Sequence, residues 1–280
     1  MRPLSSNESD RVIATMKIFD GSEIRNLSLF DANCQLGPSN VTVTAAPTSA
    51  VEFEAELDRC GIAEALLYHS SAGGYSPSVG NATLSAAISA IRRLHGSWIV
   101  LPHHTEEMPP PDLLVERALV TGIRAVRMFP ARHRFLLSDW SVDKLLEKLS
   151  EHRLPLFLDY DRTHWAEDVV DYDSVFRICK QFPTLPLILV REGIGSARYL
   201  YPLLERFDNL HLETSYYQAP CGLEDISRKF GAKRLLFGTG LPTYEAGPAI
   251  SMLLCSEISP EEKRMVAGGN LRSLLDSVRA

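Results

Sequence analysis

Short apolar runs alternate with amphipathic stretches along almost the whole chain. The runs fall at 27–37, 62–68, 98–101, 123–129, 154–158, 185–190, 210–214 and 234–237. Most are near-continuously apolar, the pattern of parallel strands buried on both faces. Between them apolar residues recur at helical spacing: Ala50, Phe53, Leu57 and Cys60, then Leu84, Ile88 and Ile91. Leu145, Leu146 and Leu149 mark a further helix, and Leu200, Leu203, Leu204 and Phe207 another. Ser49 with Glu52 predicts a capping box at one helix start; Ser259-Pro260-Glu261-Glu262 predicts the same near the end, with Pro in the first helical position. Gly61, Gly96, Gly122 and Gly231 stand where a left-handed residue would close a helix. Eight strand–helix repeats without a composition break predict an α/β fold, a single-domain (β/α)8 TIM barrel over 1–280 with 1–26 as an N-terminal extension. A doubly wound open sheet shares this periodicity and is the alternative.

Composition narrows the class. A chain of 280 residues, 45% of them hydrophobic, can bury one large core. Its net charge of −6 gives no basic footprint for nucleic acid. The five cysteines (Cys34, Cys60, Cys179, Cys221 and Cys255) are scattered and form no C-x-x-C pair, which fits reduced thiols better than a disulfide framework. The first ten residues are polar without an apolar signal core, and no apolar run has the length of a membrane span. The expectation is a cytoplasmic protein with a small-molecule partner and no nucleic-acid or membrane partner. Homo-oligomerisation is left open.

Candidate chemistry starts in the first run, which ends Asp31-Ala32-Asn33-Cys34-Gln35-Leu36-Gly37. This resembles the Asp-x-His-x-His-x-Gly frame that opens the amidohydrolase superfamily, in its amidohydrolase-related branch. In that frame strand alternation points both histidines to one metal ion; here the positions hold Asn33 and Gln35, neutral amides that bind zinc poorly. Further segments carry the resemblance: Gly122-Ile123-Arg124-Ala125-Val126-Arg127-Met128-Phe129-Pro130, Asn209-Leu210-His211-Leu212-Glu213-Thr214-Ser215, and Gly269-Asn270-Leu271-Arg272-Ser273-Leu274-Leu275. Phe230-Gly231-Ala232-Lys233-Arg234-Leu235-Leu236-Phe237-Gly238-Thr239-Gly240-Leu241-Pro242 is similar to the branch's eighth-strand block. The resemblance places the family's fifth-strand histidine on Asp159, its sixth-strand histidine on Arg191 and its eighth-strand aspartate on Gly240. It therefore implies an amidohydrolase barrel with its metal ligands replaced, hence no metal and no cofactor.

The candidate catalytic residues are Asp159, His69 and His103, and the candidate substrate-binding residues are Asn33, Gln35, Arg127 and Arg191. Asp159 and Arg191 end adjacent predicted strands, the face where barrel sites lie. The bland reading is an ion pair filling a vacated metal pocket. The functional one is an Arg191 fork for a substrate carboxylate, with Asp159 orienting it or acting as a base. His69 and His103 follow the second and third strands, where a histidine is an acid–base suited to neutral pH. Glu213 in the seventh strand requires a partner, with an arginine as the expected one. Asn81 ends a segment, 75–81, similar to a family loop near the site, or it caps a helix; Glu192 either supports the site from behind Arg191 or starts a helix, and Cys34 reads as outward-facing core. Together these point to a metal-independent hydrolase for a small polar, carboxylate-bearing substrate. The alternative is a catalytically inactive protein of this type that binds a small ligand or regulates a partner.

Overall fold

The computed structural model describes residues 21–38, 46–161 and 170–279. Eight parallel strands follow one another in spatial order: β1 (Phe30–Leu36), β2 (Glu64–His69), β3 (Leu94–Ile99), β4 (Ala125–Met128), β5 (Leu156–Asp159), β6 (Leu187–Val190), β7 (Leu210–Glu213) and β8 (Leu235–Leu236). The ring closes through backbone bonds between the last and first strands: Ala32 N donates to Phe237 O (2.9 Å) and Gly240 N to Asn33 O (3.0 Å). This is a (β/α)8 barrel, not an open sheet. Of the 1–26 extension, only the part from Gly21 lies within the described residues. It forms the helix Gly21–Leu27, whose Ile24 and Leu27 pack against the core.

Alternation sorts the apolar residues into two layers. Phe30, Ala32, Leu66, Phe157, Ile188 and Leu236 fill the barrel interior. Their strand neighbours, among them Leu67, Val126, Leu158 and Leu189, face the helices and meet Phe53, Leu57, Leu146 and Leu200. Helix termini follow the local signals. The Ser49–Glu52 and Ser259–Glu262 capping boxes are both formed, and Gly61 closes the helix Ala50–Cys60 at φ 70°. Gly96 departs from expectation. It lies inside β3, which starts earlier than the apolar run 98–101 indicates, because Leu94-His95 pair with β2.

The decisive irregularity is in β1. Phe30 and Asp31 pair with Glu64 and Ala65, but the next paired residue, Cys34, meets Leu67, so β1 carries an extra residue between them. Such a bulge shifts side-chain parity. Ala32 below it belongs to the interior layer, while Cys34 and Leu36 above it belong to the outer one. Asn33 and Gln35 are thereby turned inward at the barrel mouth. Asp31, which unbroken alternation would place beside them, turns instead to β8 and accepts hydrogen bonds from Thr239 N (3.0 Å), Thr239 Oγ1 and Asn33 N (2.9 Å).

Candidate active site

At the C-terminal ends of the strands a continuous polar network crosses the barrel. Arg127 comes inward from β4 and is fully buried. Its Nη1 donates to Asn33 Oδ1 (2.9 Å) and Asp159 Oδ2 (3.0 Å). Its Nε and Nη2 have no hydrogen-bond partner among the described residues. The guanidinium instead lies over the Tyr68 ring at 4.6 Å and the Phe157 ring at 5.4 Å, where the aromatic faces offset part of the desolvation. Arg191 donates through Nε (3.0 Å) and Nη2 (2.7 Å) to Asp159 Oδ1. Both carboxylate oxygens of Asp159 are thus held by guanidinium groups, and Asp161 N donates to Oδ1 as well (2.8 Å).

Arg191 reaches this position by a backbone device. Ile188 and Val190 are the inward residues of β6, so regular alternation would send Arg191 outward. The left-handed backbone at Arg191 (φ 59°) ends the strand and brings the side chain back over Asp159. Burial opposes its charge, but the carboxylate of Asp159, with Tyr68 and Asp161, holds its pKa above the ordinary value. Asp161 joins Arg191 Nη2 (2.9 Å) to Arg132, which grips it through Nε (2.8 Å) and Nη2 (2.5 Å). Three guanidiniums, Arg127, Arg132 and Arg191, therefore surround the two carboxylates of Asp159 and Asp161. Among the described residues of this cluster, three guanidiniums face two carboxylates.

On the other side of Asn33 lies Glu213, inward from β7 and fully buried. Its partners correct the sequence expectation of an arginine. Asn33 Nδ2 donates to Oε2 (3.2 Å), as does Ser215 Oγ (2.9 Å), and Ser215 N donates to Oε1 (2.5 Å). Burial pushes the Glu213 carboxyl up to about 7, despite those bonds to its charged form. Gly238 of the eighth-strand block makes room for it, since a Cβ there would lie 2.0 Å from Glu213 Oε1.

Of the residues singled out from sequence, Asn33, Gln35, Arg127, Asp159 and Arg191 come together. Gln35 Oε1 accepts from Tyr68 OH (2.9 Å). Asn33, Gln35, Tyr68, Arg191 and Tyr244 border a small cleft of about 20 Å³, room for little more than one water. The two histidines do not join them. His69 Nδ1 meets Ser71 Oγ (2.6 Å) and accepts from Ser71 N, capping the helix Ser70–Gly74. His103 sits in a short turn beyond β3, where strand parity no longer operates, and packs against His104 with ring centroids 4.3 Å apart and the planes tilted by 33°. Neither lines the cleft. Asn81 proves to be more than a cap: its side chain bonds both the N–H and the C=O of Ile99 at the end of β3 (2.8 Å each). Glu192 is buried and accepts from Tyr172 OH (2.8 Å). Cys34 is buried in the outer layer, where burial pushes its thiol pKa well up.

Sequence reasoning did not assign Glu213, Tyr68 or Tyr244 to the site. Glu213 had a legible signal, a carboxylate at inward parity in the strand Leu210-His211-Leu212-Glu213. Tyr244 had none, because only the fold of the loop after β8 sets its ring against Gly240 at the edge of the cleft. Among the described residues no three His, Cys, Asp or Glu side chains group so as to hold a metal ion.

The fold has known counterparts. Among solved structures, the chain is similar to an uncharacterised TIM-barrel protein, Bb4693, from Bordetella bronchiseptica (TM-score 0.71, 18% identity, 89% of this chain and 98% of that one). It is also similar to 2,6-dihydroxybenzoate decarboxylase from Rhizobium (TM-score 0.67, 14% identity, 89% and 98%). A third is 5-carboxyvanillate decarboxylase from Novosphingobium aromaticivorans, complexed with manganese and 4-hydroxy-3-methoxy-5-nitrobenzoic acid (TM-score 0.71, 13% identity, 90% and 97%). At these identities the likeness shows the fold alone. No curated protein matches the sequence. The sequence profile of the Amidohydrolase family matches residues 81–276, from the helix after β2 through the closing helix, and the chain belongs to that family.

Proposed function

We propose that this amidohydrolase-family barrel binds a small carboxylate at Arg191 and does so without a divalent metal ion. The observation that carries the reading is the state of Asp159. It is the one anionic side chain at the family's metal-ligand positions, the others being Asn33, Gln35, Arg191 and Gly240, and both its oxygens are committed to Arg127 and Arg191. A divalent ion placed against that carboxylate would face two guanidiniums at close range, and the first-strand donors Asn33 and Gln35 are neutral amides. The residues present do not fit the metal. A carboxylate does fit them: the cluster of Arg127, Arg132 and Arg191 outnumbers the two carboxylates it holds, and a guanidinium takes a carboxylate by charge-assisted hydrogen bonds. Aromatic carboxylates are the substrates named for two of the structural neighbours, which supports the ligand class. Asp159 serves in this reading as the group that holds the arginines; a carboxylate so engaged is a poor base.

The test is titration of purified, chelator-treated protein with benzoate and acetate. Binding that survives the chelator and weakens at least about tenfold in Arg191→Met, the loss of one charged hydrogen bond, is the expected result. Binding that requires added Mn²⁺ or Zn²⁺ sinks the proposal.

Hydrolytic turnover of such a ligand is the second reading, and one observation favours it. Ser215 Oγ donates to Glu213 Oε2, a hydroxyl paired with a carboxylate whose pKa is pushed up to about 7. A proton acceptor near neutrality beside a hydroxyl is the arrangement nucleophilic or general-base catalysis uses. If turnover exists, Glu213→Gln should lower it by about a hundredfold or more, the usual share of a general base. Turnover insensitive to both Glu213→Gln and Ser215→Ala rejects this pair.

A further inference from the structure

The mouth cleft holds about 20 Å³, too little for a carboxylate with any body, so one of its walls has to move when a ligand reaches Arg191. Most of the walls are fixed. Asn33 is held between Arg127 and Glu213, Gln35 by Tyr68, and Arg191 by Asp159 and Asp161. The backbone of Gly240 and Leu241 is tied into β1, through Gly240 N to Asn33 O (3.0 Å) and Gln35 N to Leu241 O (2.8 Å). Tyr244 differs from all of them. Its side chain makes no hydrogen bond among the described residues, it is 37% exposed, and its ring neighbour is Tyr216 at 6.1 Å.

Its resting place depends on Gly240. The ring lies so close that a Cβ at Gly240 would be 2.6 Å from Tyr244 Cδ2, and Gly240 adopts φ 79°, a conformation that suits glycine. The position where the family resemblance expects a carboxylate is thus an unsubstituted floor on which a tyrosine ring rests.

We propose that Tyr244 is the gate of the mouth cleft and determines the size of anion that reaches Arg191. The inference rests on the anion-binding reading above. With the ring on Gly240 the cleft is closed; swung toward solvent, it opens a path bounded by Arg191 and Tyr68. The closed population lowers apparent affinity by the fraction of molecules that are open, and the penalty is larger for a ligand that needs the ring fully displaced.

Benzoate and acetate binding to wild type, Tyr244→Ala and Tyr244→Phe tests this. Tyr244→Ala should raise the benzoate-to-acetate affinity ratio by about tenfold or more, the range over which pocket shape discriminates. Tyr244→Phe should keep the wild-type ratio, because the ring and not the hydroxyl closes the cleft. An unchanged ratio in Tyr244→Ala overturns the proposal. If neither anion binds any of the three proteins, the anion reading fails instead, and the gate is judged by ¹⁹F NMR with fluorotyrosine at position 244. Exchange between two environments in the wild type, and displacement to the exposed one in Gly240→Ala, supports it. A wild-type chemical shift that does not move with temperature, the mark of a ring held in one environment and not averaged between two, overturns it, whether or not Gly240→Ala folds.

Discussion

Glu213 shows how one buried residue links the site to pH. Its folded pKa of about 7 lies above the ordinary 4.5, because burial disfavours its charge. The fold therefore binds that proton more tightly than the unfolded chain does. The resulting stabilisation is fully present below about pH 4.5 and is lost as pH rises through 7. At about 1.4 kcal/mol per pKa unit the loss is about 3 kcal/mol. Urea denaturation of wild type and Glu213→Gln at pH 5, 6, 7 and 8 should show the variant gaining about that much on the wild type across the series. A difference that stays constant with pH refutes the assignment. Asp159 contributes by pairing with buried charge. It and Arg127 are each 1% exposed at the side chain, so Asp159→Asn removes the charge that balances a buried guanidinium. The expected cost is about 3–5 kcal/mol, read as a drop in the urea midpoint. A cost below about 1 kcal/mol would mean that Asn33 and the aromatic rings suffice for Arg127.

At the scale of elements, the site depends on places where regular strands are broken. The β1 bulge turns Asn33 and Gln35 inward, and the left-handed residue at the end of β6 returns Arg191 to the mouth. Helices contribute by clamping strand ends. Asn81, buried in the helix Pro77–Ile88, supplies β3 with a donor and an acceptor for Ile99. Asn81→Ala leaves two backbone groups without partners and should destabilise the fold by about 2 kcal/mol. Hydrogen exchange at the Ile99 amide is the direct check. Protection equal to wild type there would show that β3 does not need the clamp.

The whole molecule is a barrel whose interior is apolar below and densely charged at one end. If that charged end takes no divalent ion, a chelator should leave the melting temperature unchanged, and 100 μM Mn²⁺ should not raise it. A site with a dissociation constant near 1 μM would instead add about 2.7 kcal/mol at that concentration. Elemental analysis with a stoichiometric transition metal would contradict the proposed metal-free site outright.

The strand–helix alternation, the capping boxes and the in/out split of apolar residues were legible in the chain because they are set by local periodicity and by the pairing of neighbours in sequence. The inward direction of Arg127 and Asp159 follows the same alternation, whereas that of Asn33 depends on the β1 bulge. Other features were decided only in three dimensions. The partners of Glu213 come from β1 and from its own strand end, the histidines at 69 and 103 are drawn into turns, and Tyr244 is set against Gly240 by the loop after β8. Each depends on a bulge, a left-handed residue or a close approach to glycine. These replace the period of a strand with the geometry of a single peptide unit, and periodicity carries no information about them. The sequence determined a barrel with arginines, amides and one aspartate at its rim; tertiary structure decided that the aspartate would be consumed by the arginines and that a tyrosine ring would pack on Gly240 at the edge of the cleft.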